Sequence, residues 1–429
     1  MPIEKLEILP AEAAVRASVR PPGSKSITNR ALICAALADG ESRLSGALAS
    51  DDTRVMIDGL RRLGVAVDET DSGRTLVVQG HGPPDAEVAE LFVGNSGTTV
   101  RFLTAMLATG TGSYRLDGVS RMRERPIGDL IAALNGLGAD IASESGNGCP
   151  PLVVQARGLR GGVASVRGDA SSQFVSALLM AAPYSESSIR LSVAGDLVSK
   201  PYIRMTSQVM EAFGVRCEIE EGMRAFRVPQ GRYVGREYAI EPDASAASYF
   251  WGAAAITGGD VTVEGLSADA MQGDVQFVGC LEKMGCRVEW LADAVRVAAD
   301  RPLQGVEVDM NAISDTAQTL AAVALFADGP TRITGVAHNR LKETDRIGNL
   351  AIELRKLGAD VETSEDGLQI MPGPLQPAEI ETYDDHRMAM SLALVGLRQP
   401  GVVIRDPGCT AKTYPGFFQD LRAVCEAFG

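Results

Sequence analysis

The sequence predicts an α/β protein of two lobes, each assembled from three similar units of about 70 residues, on three observations. A polar, helix-capping opening that runs into an Ala/Leu-rich stretch occurs six times. It begins at Ser24 (SKSITNRALICAALA), Ser96 (SGTTVRFLTAMLA), Ser171 (SSQFVSALLMAA), Ser245 (SAASYFWGAAAI), Asp315 (DTAQTLAAVALFA) and Asp384 (DDHRMAMSLALVGL). A second series keeps the same beat, a helix closed by a glycine and followed by a strand-like run: GLRRLGVAV, ALNGLGADI, VMEAFGVRC, CLEKMGCRV and ELRKLGADV. Finally, Pro21-Pro22 and Glu241-Pro242 mark two extended crossings, because proline disfavours helix in the residue before it. Six units, each with two helices and several short strands, suit two lobes of three better than a continuous solenoid. The expected lobes are residues 21–240 and residues 1–20 together with 241–429.

Each element has a physical reason. A Ser or Asp at a helix opening accepts from an unpaired first-turn N–H, and Ala and Leu then propagate the helix. The stop glycines Gly64, Gly138, Gly214, Gly285 and Gly358 take the left-handed conformation that ends a helix. A repeat alone is also compatible with a structural array that has no chemistry, so function has to be read from the charges.

Composition narrows the classes. At 429 residues and 45% hydrophobic content the chain exceeds one ordinary core. A formal net charge of −14 argues against broad contact with nucleic acid. Seven cysteines without a CxxC pair, and only three histidines, suggest no metal site and a reducing, cytosolic compartment. The start MPIEKLEILP carries no secretory pattern, and no apolar run reaches membrane-spanning length. We therefore expect a cytoplasmic protein with no membrane or nucleic-acid partner, working as a monomer.

In so acidic a chain, cations gather at the helix openings: Lys25 and Arg30, Arg125 in RMRERPIGD, Lys342 and Arg346 in RLKETDRIG, Arg387 in DDHRMAM, and Lys412 in CTAKTYPG. Singly, each reads as a solvated surface charge. Together, beside helix N-termini that offer unpaired N–H groups, they suggest a cleft focused on small polyanions. Two acids stand among them. Asp315 serves either as a helix cap or in proton transfer, and Glu343 either pairs locally with Lys342 or handles a proton.

The motifs PPGSKSITNRAL, GNSGTTVRF, RERPIGD, DASSQF, SKPYI, EPDASAASYF, ISDTAQTLAAVALFA, LKETDRI, DDHRMAM and DPGCTAKTYPGFF, taken in order, resemble the enolpyruvyl transferase superfamily. Within it they are most similar to the 5-enolpyruvylshikimate-3-phosphate synthases. The resemblance implies two lobes of three βαβαββ units, an inside-out α/β barrel, with helix N-termini facing an active site between the lobes. It implies that Lys25, Ser26, Arg30, Ser171, Ser172, Gln173, Ser199, Tyr202, Asp315 and Lys342 hold shikimate 3-phosphate. Phosphoenolpyruvate falls to Lys25, Asn95, the backbone at Gly97, Arg125, Gln173, Arg346, Arg387 and Lys412. Arginine forks suit its carboxylate and phosphate.

The implied reaction is addition followed by elimination, with Asp315, Glu343 and Lys25 as proton carriers whose individual steps stay open, and with no metal or organic cofactor. His338 stands where the family often has a substrate-touching Asn, with Asn339 beside it, so neither is placed in the site. Two lobes joined by two crossings also imply closure on the ligands and ordered or synergistic binding. The nearest alternative is the sister enzyme that uses UDP-N-acetylglucosamine. It commonly has a Cys before its Arg-Pro, whereas GVSRMRERPIGD has none. An RNA 3′-terminal phosphate cyclase relative would want a basic face, and a non-catalytic anion-binding relative would usually lack some of these charges.

Overall fold

The computed structural model describes residues 3–426, so the outermost positions of the expected lobe 1–20 plus 241–429 lie outside the described residues. Contacts divide the chain into two compact units. One is Gly23–Ile240; the other runs to Pro22 and resumes at Glu241.

One sheet motif recurs in both. A strand lies parallel to the next, which pairs antiparallel with a third, which pairs antiparallel with a fourth. In the Gly23–Ile240 unit the second, third and fourth strands are Asp39–Ser45, Thr75–His81 and Ala66–Thr70; then Thr111–Asp117, Leu152–Arg157 and Ile141–Ser143; then Ile189–Ala194, Ala225–Val228 and Glu218–Ile219. The first strand of the first sheet, Glu237–Ala239, comes from the far end of the unit and lies parallel to Asp39–Ser45.

The other unit follows the same order but borrows from the start of the chain. Arg16–Val19 lies parallel to Asp260–Glu264, and Lys5–Ile8 pairs antiparallel with Val402–Arg405 in a sheet of only three strands. These pairings fix the first residues to the unit that begins again at Glu241.

Where a parallel pair is joined within one repeat a helix supplies the crossover, as Gly97–Ala108, Ser172–Ala181, Ala317–Ala324 and His386–Gly396 do; Lys25–Leu37 and Ala244–Thr257 occupy the same place before Asp39–Ser45 and Asp260–Glu264. Lys25–Leu37, Gly97–Ala108 and Ser172–Ala181 in one unit, and Ala244–Thr257, Ala317–Ala324 and His386–Gly396 in the other, are buried on nearly all sides. The Ala/Leu-rich composition of these stretches is what a fully enclosed helix requires. In the second unit the three pack on one another, and a hydroxyl chain threads them: Ser248 Oγ lies 3.0 Å from Thr319 Oγ1, which lies 3.3 Å from Ser391 Oγ.

The second helix of each repeat buries one face only. In Asp51–Arg62, for example, Met56, Ile57 and Leu60 point inward. All five stop glycines have positive φ, from +89° at Gly64 to +106° at Gly285, and each is followed by a strand.

Two openings shift along the chain. The fourth helix is capped by Asp243, whose carboxylate accepts from Ala246 N at 2.9 Å, while Ser245 lies inside the helix and donates to Asp274. The sixth is capped by Asp385 rather than Asp384. An N-cap must combine extended backbone with a side chain aimed at the first turn. Asp243 and Asp385 meet both conditions, whereas Asp384 has left-handed backbone.

Candidate active site

In the Gly23–Ile240 unit, Ser24, Ser96 and Ser171 cap the three buried helices as expected, accepting from Ile27 N, Thr99 N and Gln173 N at 3.5, 3.3 and 3.2 Å. Lys25 opens the first helix, and its Nζ lies 3.6 Å from Asp52 Oδ2. The Asp52 carbonyl accepts from Thr99 Oγ1 at 3.4 Å, which ties this pair to the second helix start.

Gly97 is the first residue of that second helix. A methyl group there would stand 2.4 Å from Arg125 Nη2 and 2.8 Å from Arg101 Nη1, so the missing side chain makes room for two guanidinium groups over a helix N-terminus. First-turn N–H groups, the positive dipole end and two cations are an arrangement that can hold an anion. Arg125 is held there by Asn95, donating from Nη1 to its backbone oxygen at 2.9 Å and to Oδ1 at 3.3 Å. Arg101, which the sequence reading missed, donates to Gln173 Oε1 at 2.5 Å, and Gln173 Nε2 donates to Thr98 Oγ1 at 3.1 Å. This links the second and third helix starts.

Arg30, expected among the ligands of shikimate 3-phosphate, is anchored within this unit. It is 2% exposed; Nε donates to Thr206 Oγ1 at 2.7 Å, Nη1 to the Ser26 carbonyl at 2.8 Å, and Nη2 to the Tyr202 carbonyl at 3.2 Å. The guanidinium stacks over Phe102, and burial lowers its pKa to about 10. Arg30 thus ties the backbones of Ser26 and Tyr202 together. Ser172 opens its helix, and Ser199 precedes Lys200–Ala212 in left-handed backbone (φ 52°, ψ 44°), a conformation a non-glycine residue holds only when its surroundings enforce it.

In the other unit Asp315 does not cap a helix. It is the next-to-last residue of a 3₁₀ turn, Asn311–Thr316, that precedes Ala317–Ala324, and its carboxylate turns to three cations. Lys342 Nζ donates to Oδ1 at 2.5 Å, Arg346 Nη1 to the same oxygen at 3.3 Å, and Arg387 Nη2 to Oδ2 at 2.7 Å. Glu343 lies 2.8 Å from Arg346 Nη2 and 3.0 Å from Lys412 Nζ, so its ion pairs extend beyond its neighbour in sequence. Asp385 grips Arg346 bidentately at 2.7 and 3.1 Å while capping the helix of Arg387.

Four cations and three carboxylates are joined by these contacts, which leaves a positive balance. Burial lowers the Lys342 pKa, helped by Arg346 and Arg387 and opposed by Asp315. Burial works against the charge on Arg346, but Asp385, Glu343 and Asp315 together hold its pKa above the usual value. Tyr249, whose phenol is pushed up to about 12 by burial, lies 3.4 Å from Arg387 Nη1.

His338 and Asn339 hold the Asp315 turn from beneath. His338 Nε2 lies 2.9 Å from Ser314 Oγ, and Asn339 Nδ2 donates to the Ser314 carbonyl at 2.9 Å. Burial lowers the His338 pKa to about 3, so the ring stays neutral at physiological pH.

A family model for EPSP synthase (3-phosphoshikimate 1-carboxyvinyltransferase) matches residues 10–421. The chain belongs to the EPSP synthase family. Among relatives in that family, a 3-phosphoshikimate 1-carboxyvinyltransferase of Nostoc punctiforme is 48% identical, over 97% of this chain and 98% of its own. One from Vibrio campbellii is 46% identical, over 98% of this chain and 100% of its own. A solved EPSP synthase from Acinetobacter baumannii superposes with a TM-score of 0.82 at 27% identity, covering 98% of each chain. As a member of this family, the chain has the enolpyruvyl transferase fold. Among the described residues no group of three or more His, Cys, Asp or Glu is placed to hold a metal ion, and no helix is long and apolar enough to cross a membrane.

Proposed function

We propose that the residues of the two units serve the two substrates of one reaction, in the roles set out here. The chain is an enzyme of the shikimate pathway that transfers the 1-carboxyvinyl group of phosphoenolpyruvate to shikimate 3-phosphate. Arg125, Arg346, Arg387 and Lys412, with Lys25, Asn95, Gln173 and the Gly97 backbone, bind phosphoenolpyruvate; guanidinium forks pair bidentately with its carboxylate and phosphate. Lys25, Ser26, Arg30, Ser171, Ser172, Gln173, Ser199, Tyr202, Asp315 and Lys342 bind shikimate 3-phosphate, and Arg30 also orders the Ser26 and Tyr202 backbones.

The acceptor's 5-hydroxyl oxygen bonds to C2 of phosphoenolpyruvate as the hydroxyl proton leaves and C3 gains a proton. The bond from C2 to the phosphate oxygen then breaks, C3 gives up a proton, and phosphate departs. Asp315 accepts the hydroxyl proton; Glu343 and Lys25 serve C3 and the leaving phosphate. The cations stabilise charge that develops on the phosphate.

The observation that supports this reading is the Asp315 carboxylate, held by Lys342, Arg346 and Arg387 rather than spent on a helix end. A monomer fits strands that complete each unit's sheets within the chain, and a reducing cytosol fits seven unpaired cysteines. The test is phosphate release from phosphoenolpyruvate with either shikimate 3-phosphate or UDP-N-acetylglucosamine as acceptor. Release that requires shikimate 3-phosphate is expected; release only with the UDP-sugar would overturn the acceptor assignment.

A further inference from the structure

Behind the Arg346–Asp385 pair lies a buried carboxylate that the reaction does not use. Glu353 is 0% exposed in the helix Gly348–Lys356, which begins two residues after Arg346. Its Oε1 accepts from Tyr383 Oη at 2.7 Å and from Lys356 Nζ at 2.9 Å; its Oε2 accepts from Glu381 N at 3.1 Å and from Lys356 Nζ at 2.8 Å. Four hydrogen bonds satisfy the carboxylate, and Lys356 balances its charge, which is what a buried acid needs.

The segment it grips is unusual. Tyr383 and Asp384 both have φ of 54°, a left-handed stretch of two non-glycine residues that costs energy and persists only where neighbours enforce it. That turn leads directly into Asp385, which chelates Arg346, and Arg387, which reaches Asp315. Glu353 therefore bridges the helix that follows Arg346 and the turn that precedes Asp385. Burial, then the bond to Glu353, raise the Tyr383 pKa, so the phenol stays a donor throughout the physiological range.

We infer that Glu353 is a positioning residue for the phosphoenolpyruvate cations: through Tyr383 it fixes the left-handed turn that delivers Asp385 to Arg346 and Arg387 to Asp315. The inference rests on the assignment of Arg346 and Arg387 to phosphoenolpyruvate.

The test compares KM for phosphoenolpyruvate, kcat and thermal midpoint for Tyr383→Phe, Glu353→Gln, their double variant and Arg387→Ala in the full chain. Tyr383→Phe loses one hydrogen bond and is expected to raise KM for phosphoenolpyruvate about five- to tenfold. Its midpoint should stay within about 2 °C of the parent. The double variant should be less than additive, because both changes cut one tether. A lowered midpoint with KM unchanged in Tyr383→Phe would reduce the contact to packing and overturn the inference, even if Glu353→Gln does not fold. If Arg387→Ala raises KM and Tyr383→Phe does not, the inference alone fails. If Arg387→Ala leaves KM unchanged, the binding assignment fails and the inference with it.

Discussion

The contacts that hold the cations differ between the two units. In the unit that resumes at Glu241, Lys342, Arg346, Arg387 and Lys412 are fixed by the carboxylates of Asp315, Glu343 and Asp385. In Gly23–Ile240 the contacts of Arg30, Arg101 and Arg125 described above run to hydroxyl, carbonyl and amide oxygens. The Lys25–Asp52 contact there, at 3.6 Å, resembles the other unit. The difference teaches that a cation can be pre-positioned at two electrostatic settings. Carboxylates hold a cation rigidly but offset its field, whereas neutral oxygens leave more of the charge for the ligand.

The largest contrast should come from removing one arginine on each side. Arg125→Ala is expected to cost about 3–4 kcal/mol of transition-state binding, roughly 10²–10³ in kcat/KM for phosphoenolpyruvate, mainly through KM. Arg387→Ala should instead lower kcat as well, because Asp315 loses a partner. Steady-state kinetics in which the two variants share one pattern would erase the distinction.

Next is the internal arginine. Arg30→Leu strands Thr206 and the carbonyls of Ser26 and Tyr202, and should cost about 3 kcal/mol of stability in denaturant unfolding. Ser248→Ala, in the hydroxyl chain of the other unit, should cost only about 1 kcal/mol. Equal costs would show that the two helix cores are not built differently.

A smaller effect should appear on acidification. The folded His338 pKa of about 3 lies below the usual histidine value of 6.5, so the unfolded chain takes up this proton first as pH falls. Stability present above pH 6.5 is therefore lost toward pH 3, by about 2 kcal/mol at pH 5 from this group alone. His386, with its pKa lowered well below the usual value by burial, pulls the same way. Unfolding measured between pH 5 and 7 should show a shallower slope for His338→Gln; an unchanged slope would mean the ring is already protonated in the fold.

The smallest change concerns Gly97. A methyl group 2.4 Å from Arg125 Nη2 must push the guanidinium aside, so Gly97→Ala should raise KM for phosphoenolpyruvate about tenfold, with kcat less affected. An unchanged KM would show that Arg125 finds an equivalent position.

Much of this was legible because it is local. The helix openings at Ser24, Ser96 and Ser171 and the five stop glycines follow from capping and left-handed backbone, which a few adjacent residues determine. What stayed hidden is long-range. Nothing near Arg16–Val19 announces its pairing with Asp260–Val263, and nothing near His338 announces Ser314. Arg101 reads as an ordinary helix residue until Gln173 is found beside it. Asp315 could be read as a cap because spacing does not reveal the intervening 3₁₀ turn that redirects its carboxylate.

The most direct test of the account is Asp315→Asn, with substrate binding by titration calorimetry set beside phosphate release. Binding of shikimate 3-phosphate and phosphoenolpyruvate should stay within about tenfold of the parent while phosphate release falls roughly 10²–10⁴-fold, as expected for loss of a proton acceptor. Release within a few-fold of the parent would contradict the role of Asp315, and loss of binding equal to the loss of release would make Asp315 a ligand-binding residue only.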